Sequence, residues 1–266
     1  MHGMLDNVQL LDNIPVNLDV DKVLERLDLP NEKARLKHMK LQIEKKRFKE
    51  VAGKLIELVM PVARPKALYK VARITAMHGE TIEIDGVNFS DSLLKGVLSF
   101  NKVEDVFPSV STCGTEVNAI QIAGDDALEQ YGLNLIKRMV YASANDYLNT
   151  HLRQQYALGK IKRLNAPAQL VAWPVVQFEE HFSLFGAVED LIGVRVTDPY
   201  LKSPLKVPLP HMLWPLFSGT RISFPAETSF VRCLLCPEKC IGRRVPYDAS
   251  LVKRYAEVAL RVDQSL

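Results

Sequence analysis

The sequence contains no long run of apolar residues. No stretch in its 266 residues approaches the ~20 consecutive apolar residues that a membrane-spanning helix needs. Residues 1–17 also lack the charged start and apolar core of a secretion signal. We therefore expect a cytoplasmic protein with no membrane partner. In that reducing compartment, a tight group of cysteines indicates a metal or redox site rather than a structural disulfide.

The sequence also lacks a strong excess of charge of one sign. Its 34 Lys and Arg against 31 Asp and Glu give a net charge of +3, which is too weak a field to indicate nucleic acid. The basic residues of 33–54 alternate with glutamates, as on a solvated helix face. The sequence therefore predicts no nucleic-acid partner.

Several catalytic motifs are missing. The chain has no G-x-x-x-x-G-K-[ST] or G-x-G-x-x-G loop, no H-E-x-x-H and no G-x-S-x-G. Nucleotide hydrolysis, simple dehydrogenase chemistry and zincin-type proteolysis are therefore unsupported. The six histidines stand singly, so we expect surface or packed residues. Glu179, Glu180 and His181 are neighbours on a predicted helix and point in different directions, so they form no acid/base pair.

Cysteine is scarce but concentrated. Three of the four cysteines, Cys233, Cys236 and Cys240, have C-x2-C-x3-C spacing, and Pro237 stiffens the turn between the last two. Three thiolates at this spacing can reach one iron–sulfur cluster or one zinc ion. Cys113, at the end of a predicted strand, is the remaining thiol and would complete a four-thiolate site. The alternatives are an iron–sulfur cluster, a zinc ion, or reduced cysteines that bind no metal.

The order of predicted elements indicates an α+β fold, because helices and strands are grouped rather than alternating. The predicted helices are 19–29, 31–60, 90–98, 125–158, 175–185 and 249–262. The predicted strands are 67–74, 81–89 with a turn at Asp85-Gly86, 103–112, 191–197 and 220–224. Five prolines between 199 and 215 predict a covering loop with little regular structure.

A series of short motifs occurs along the chain in an order typical of a known protein family. They are Thr112-Cys113-Gly114, Asp125-Asp126 at the start of the longest predicted helix, Arg163-Leu164-Asn165-Ala166-Pro167, Trp173-Pro174, Ile192-Gly193-Val194, Trp214-Pro215 and Ser218-Gly219. Over about residues 10 to 260, the chain resembles stand-alone relatives of the activation (reactivation) domain of vitamin B12-dependent methionine synthase. The cysteine cluster, Arg243-Arg244 and Pro246-Tyr247-Asp248 look like features of that stand-alone branch.

The resemblance implies a single C-shaped α+β domain with a central antiparallel sheet flanked by helices. Residues 61–266 would form this domain, carrying the cysteine cluster near its C-terminal end, and residues 1–60 a helical segment that packs on it. The family domain binds S-adenosylmethionine and docks over cob(II)alamin carried by a partner. An electron arrives, and the adenosylmethionine methyl group traps cob(I)alamin as methylcobalamin.

The function implied is reductive activation of a corrinoid methyltransferase, with an electron donor and an electron-relaying iron–sulfur cluster. As an enzyme, the protein would have an accessory methyltransferase-type activity. The alternative is a non-catalytic module that binds a corrinoid protein and carries a structural zinc site. A methyltransferase unrelated to cobalamin is a third interpretation.

The resemblance also implies the ligand-binding residues. Arg163 matches the arginine of the family's adenosylmethionine motif, whereas Pro167 and Ala168 stand where a glycine and the residue after it belong. Thr220-Arg221 replaces an aromatic pair. The family often has a carboxylate residue that faces the ligand at the helix position of Asn145-Asp146. The resemblance assigns this role to Asp146. The set predicted to bind the cofactor is Asp146, Arg163, Asn165, Ala166, Ser218, Gly219 and Arg221; the catalytic residues are unknown.

Overall fold

The structure is a computed structural model that describes part of the chain. The described residues are 8–79, 81–90, 104–122, 124, 126–157, 160–165, 177–194, 210–216 and 246–250. For 160–165 and 210–216 the description covers the backbone. Residues 91–98 of the predicted helix at 90–98, the predicted strand at 220–224 and most of the predicted helix at 249–262 lie outside these residues.

Three helices form the N-terminal part. They are α1 (Val20–Leu27), α2 (Pro30–His38) and α3 (Lys45–Val59), and a short 3₁₀ turn follows at Met60–Val62. The Asp19 carboxylate caps α1 by accepting a hydrogen bond from the backbone N–H of Lys22 at 2.9 Å.

The prediction of one helix over 31–60 is wrong, because the chain turns between α2 and α3. Lys40 has φ +53°, and its N–H donates to the carbonyl of Lys37. The N–H of Leu41 donates to the carbonyl of Leu36. These two bonds form a Schellman motif, whose left-handed residue is usually glycine. A lysine holds that position here, so the sequence shows no stop signal.

The predicted central helix is confirmed as α5 (Ala127–Gln155), which follows the short helix α4 (Thr115–Ala119). The side chain of Asp126 caps it, accepting from the N–H of Leu128 at 2.8 Å. Its N-terminal half packs against α1 and α3 in one apolar cluster, whose fully buried members include Val23, Phe48, Leu135, Ile136 and Val140.

The described strands form one sheet in which every pairing is antiparallel. They are β1 (Gln9–Leu11), β2 (Lys66–Tyr69), β3 (Ala72–His78), β4 (Thr81–Ile84), β5 (Val87–Ser90), β6 (Asp105–Thr112), β7 (Lys160–Asn165) and β8 (Pro210–Leu216). Strands β2 and β3 follow each other along one side of β6, and β8 and then β7 lie on its other side. Strand β3 continues into a meander with β4 and β5.

Helix α5 covers one face of this sheet, and α6 (Phe178–Ser183) and α7 (Val188–Ile192) cover the other. The predicted strand at 191–197 is therefore wrong at its start, because residues 188–192 are helical. Gly193 ends α7 in the left-handed conformation at φ +69°, where glycine carries no steric cost. Residues 195–197 lie outside the described part.

The proline-rich segment was predicted to be irregular, but residues 210–216 form a strand inside the sheet. The carbonyl of Pro108 accepts from Lys70, so the polar groups at position 108 point away from β8. Backbone polar groups point alternately to the two neighbours of β8. The nitrogen of Pro215 therefore faces β6 beyond Leu213, the last β8 residue paired with that strand. The nitrogen of Pro210 faces β7 beyond His211, the last β8 residue paired with that strand. Neither proline therefore removes a bond from the described ladders.

The predicted α+β class with an antiparallel sheet is confirmed. Among the described residues, no helix is long and apolar enough to cross a membrane.

Candidate functional site at the β7 edge of the sheet

Two residues predicted to bind the cofactor lie on β7, the outer strand on this side of the described sheet. Asn165 is opposite His211 of β8, which is opposite Ser109 of β6, which is opposite Tyr69 of β2. In the same way, Arg163 is opposite Leu213. The sheet register therefore places Arg163 and Asn165 two positions apart on an edge strand, where a ligand can approach.

The C-terminal half of α5 lies beneath this part of the sheet. Ala144, Leu148 and Leu152 pack against Ala67, Tyr69 and Phe107 in a second apolar cluster. Helix α5 contacts β2, β6 and β7. The C-terminal half of α5 therefore packs beneath β2 and β6 and reaches β7.

Polar and aromatic side chains join the helix to β2. The Tyr69 hydroxyl and His151 Nε2 are 2.9 Å apart and share a hydrogen bond. The Tyr156 ring packs edge-on against Tyr69 and at a tilt against Phe107. Burial, with a smaller contribution from Tyr156, raises the pKa of Tyr69 above its usual value, so the phenol stays protonated near neutral pH.

The structure separates the two residues of the Asn145-Asp146 pair. Asp146, the residue chosen from sequence, is exposed on the outer side of α5, and its role in ligand binding stays a prediction. Asn145 is 3% exposed and belongs to the buried side of the helix. Its Nδ2 donates to the carbonyl of Tyr141 at 3.1 Å. Its Oδ1 has no hydrogen-bond partner among the described residues.

Ser111 is a second polar residue at the same interface that sequence reasoning missed. Its side chain is fully buried, and its Oγ has no hydrogen-bond partner among the described residues. Both residues are buried at the interface between helix and sheet. For Asn145, the helical spacing of the neighbouring apolar residues Ala144 and Leu148 could have predicted this burial.

The opposite face of the sheet holds a packed histidine. His181 is fully buried next to Phe89 and Phe185, and its Nε2 lies 3.2 Å from the Ser109 carbonyl. Burial lowers the pKa of His181 to about 4, so the ring is neutral at physiological pH. Glu179 is exposed. The prediction that His181 is a packed residue is therefore confirmed.

Cys113 is the predicted metal ligand whose surroundings the structure shows. Its thiol is 6% exposed and donates to Asn118 Oδ1 at 3.2 Å. Burial raises the pKa of Cys113 to about 11, which favours the protonated thiol over the thiolate that a metal needs.

The other predicted ligands are not described by the structure. They are Cys233, Cys236 and Cys240 of the metal site, and Ala166, Ser218, Gly219 and Arg221 of the cofactor site. Within the described ranges, no three His, Cys, Asp or Glu side chains come together as a metal site. The four-thiolate site stays a prediction.

Comparison with known proteins gives a fold match. No family model matches the sequence, and no curated protein matches it. Among solved structures, the chain is similar to the MetH reactivation domain bound to AdoHcy, with a TM-score of 0.50 and 13% identity. The likeness covers 80% of this chain and 79% of the other.

The chain has the fold of the MetH reactivation domain. The resemblance drawn from the short motifs is thereby confirmed for the fold. At 13% identity the likeness carries the architecture alone.

Proposed function

We propose that this protein reductively activates a corrinoid methyltransferase, with S-adenosylmethionine as the methyl donor. The observation that carries the proposal is the reactivation-domain fold over four-fifths of the chain, in common with a structure that holds AdoHcy. AdoHcy is what remains of S-adenosylmethionine after its methyl group has been transferred. The partner would therefore be a corrinoid-binding protein whose oxidised cobalt needs an electron and a methyl group.

The β7 edge is the proposed adenosyl-ligand site. Arg163 and Asn165 lie on the edge strand. Arg163 would bind the ligand carboxylate through charge-assisted hydrogen bonds. When bound, S-adenosylmethionine supplies an electrophilic methyl group. The protein's own part is to bind and orient it.

We propose that Cys233, Cys236 and Cys240 would hold a metal site through their thiolates, and that this site would supply electron transfer. The buried thiol of Cys113 is engaged with Asn118, so we propose that it stabilises the end of β6 rather than binding the metal.

Calorimetric titration with AdoHcy tests the ligand part of the proposal. The wild-type protein should bind, and Arg163→Ala should weaken binding by about 1–3 kcal/mol through loss of a charged hydrogen bond. Arg153→Ala, at an exposed position in the last turn of α5, is the matched control and should bind as wild type does. If the wild-type protein releases no heat at high ligand concentration, the proposed function is wrong.

Metal analysis tests the electron-transfer part. Protein purified without oxygen should contain iron and sulfide and should give a paramagnetic signal that changes with dithionite. Cys236→Ser should lose the metal, whereas Cys113→Ser should retain it. Zinc alone would instead support a non-catalytic corrinoid-binding module with a structural zinc site.

A further inference from the structure

Helix α2 is joined to the central helix α5 through a buried carboxylate. Glu32, in the first turn of α2, is 2% exposed. Its Oε2 accepts a hydrogen bond from the Tyr131 hydroxyl at 2.9 Å and another from Nη2 of Arg138 at 2.8 Å. The Arg138 side chain is 23% exposed, so this ion pair is largely shielded from water. A buried carboxylate loses its hydration, and these two donors replace it.

Apolar packing holds α2 less firmly than the helices on either side of it. Leu36 is the one large apolar residue in the nine residues of α2, and it is partly buried against the cluster that α1, α3 and α5 form. Helix α1 contributes the buried Val23 and Leu27 to that cluster, and α3 contributes five buried residues. A helix as short as α2 is marginal in water unless packing stabilises it. Glu32 therefore provides a large share of what keeps α2 in place.

Both ends of α2 are places where the chain can turn. Pro30 begins the helix and has no N–H with which to bond back to α1. At the other end, Lys40 has φ +53°, a left-handed conformation that costs a lysine energy, and opening of α2 relieves that cost. The exposed Lys33 and Lys37 also oppose the closed helix, because like charges four residues apart on a helix repel.

Helices α3 and α5 are joined to each other by contacts that do not pass through α2. The rings of Phe48 and Tyr131 pack at a tilt, with centroids 6.2 Å apart. Arg47 Nη2 lies 2.6 Å from Oδ2 of Asp126, the residue that caps α5. These contacts can therefore persist when α2 leaves its place.

We propose that α2 is a strap that opens as a unit while α3 and α5 stay folded, and that Glu32 is the latch that keeps it closed. Opening exposes the Tyr131 hydroxyl and the Arg138 guanidinium together, and these two donors bind a carboxylate well. The closed state fills that carboxylate-binding pair with the protein's own Glu32. The strap is thus an autoinhibitory cover, because a carboxylate from outside can bind the pair only when α2 is open.

Hydrogen exchange of the intact protein in low concentrations of urea tests the strap. The amides of α2 should share one opening constant, at least about tenfold larger than that of the buried amides of α3 and α5. Glu32→Gln keeps the shape but removes the charge that Arg138 pairs with, so it should raise the α2 opening constant at least about tenfold. Glu50→Gln, at an exposed position of α3, is the matched control and should leave it unchanged.

Tyr131→Phe provides a second variant, because it removes one hydrogen bond to Glu32 and keeps the ring packing and the ion pair. It should raise the α2 opening constant by roughly threefold to tenfold, and it decides the role of the latch if Glu32→Gln does not fold. Equal opening constants for α2, α3 and α5 in the wild-type protein would show that α2 opens only when the whole protein unfolds, which overturns the strap. An α2 opening constant that is unchanged in the folded variants overturns the latch.

Discussion

The hydroxyl of Tyr69 and the Nε2 of His151 share a hydrogen bond of 2.9 Å that links the central sheet to the long helix. Tyr69 is 2% exposed, and His151 is half-buried on the outer margin of the interface. The bond satisfies a buried phenol and fixes the rotation of α5 over β2. It thereby also sets which helix residues turn toward β7.

Removing this hydroxyl should weaken the fold. Tyr69→Phe should lower the free energy of unfolding by about 1 kcal/mol, because the half-buried His151 can still turn to water. Tyr147→Phe, on the same helix with a side chain that is 38% exposed, is the control and should change little. Urea unfolding monitored by circular dichroism measures both. Equal midpoints for the two variants would contradict the prediction.

The buried His181 should make stability depend on pH. Its pKa falls from 6.5 to about 4 on folding because burial disfavours the charged ring. Its contribution is favourable above pH 6.5, where the ring is neutral in both states. It is lost as the pH falls from 6.5 toward 4, where the unfolded chain binds the proton first. The full loss is about 3 kcal/mol.

The matched variant is His181→Gln, whose amide can still donate to the Ser109 carbonyl. Urea unfolding across pH 4 to 7 should show a smaller acid-induced loss of stability in this variant. If both proteins lose stability by the same amount, His181 is not the group responsible.

A largely buried ion pair joins the turn of the β4–β5 hairpin to Lys70, which follows β2. Lys70 Nζ lies 2.7 Å from Asp85 Oδ2, with side-chain exposures of 6% and 27%. Asp85 Oδ1 also accepts from the backbone N–H of Arg73 at 2.8 Å. Asp85→Asn should keep this second bond and tolerate the left-handed turn, but it would leave the Lys70 ammonium buried without its counter-charge. We expect a loss of roughly 3–5 kcal/mol.

A double-mutant cycle separates this effect from simple truncation. Lys70→Met should cost less than Asp85→Asn, because the carboxylate left behind is more exposed and keeps its backbone partner. Combining the two changes should recover part of the loss measured for Asp85→Asn. Strictly additive losses in thermal or urea unfolding would mean that the ion pair contributes nothing.

Two glycines on packed helices should respond oppositely to alanine. A Cβ on Gly53 of α3 would have open space around it, so Gly53→Ala should stabilise the protein by up to about 1 kcal/mol through helix propensity. A Cβ on Gly132 of α5 would lie 2.8 Å from Leu55 Cδ1 and 3.3 Å from Phe48 Cε2. Overpacking costs roughly 1–3 kcal/mol, so Gly132→Ala should destabilise. A shift in midpoint of the same sign for both would contradict this prediction.

Local signals predicted most of the described elements. Asp126 caps the long helix at its predicted start. Asp85 and Gly86, both at positive φ, form the predicted turn between β4 and β5. The break at Lys40 was missed because its left-handed residue is not glycine. Strand β8 was missed because proline was treated as a breaker, although Pro215 requires no ladder bond.

The candidate site was predictable only in part. Arg163 and Asn165 came from the resemblance of short motifs, and the fold places both on an edge strand. Asp146 was preferred because it carries the charge, but it is exposed to solvent. Asn145 and Ser111 were missed, because a buried atom's unmet hydrogen bond depends on which surfaces pack together.

The sequence by itself determined the α+β class, the caps and turns, and the concentration of cysteines near the C-terminal end. These follow from periodicity, conformational preference and spacing, which act over a few residues. Only the tertiary structure decided that two prolines lie within a paired strand, that α5 turns Asn145 inward and Asp146 outward, and that Ser111 is on the covered face of β6. Each of these depends on sheet register and helix rotation, which are fixed by contacts between residues far apart in the chain.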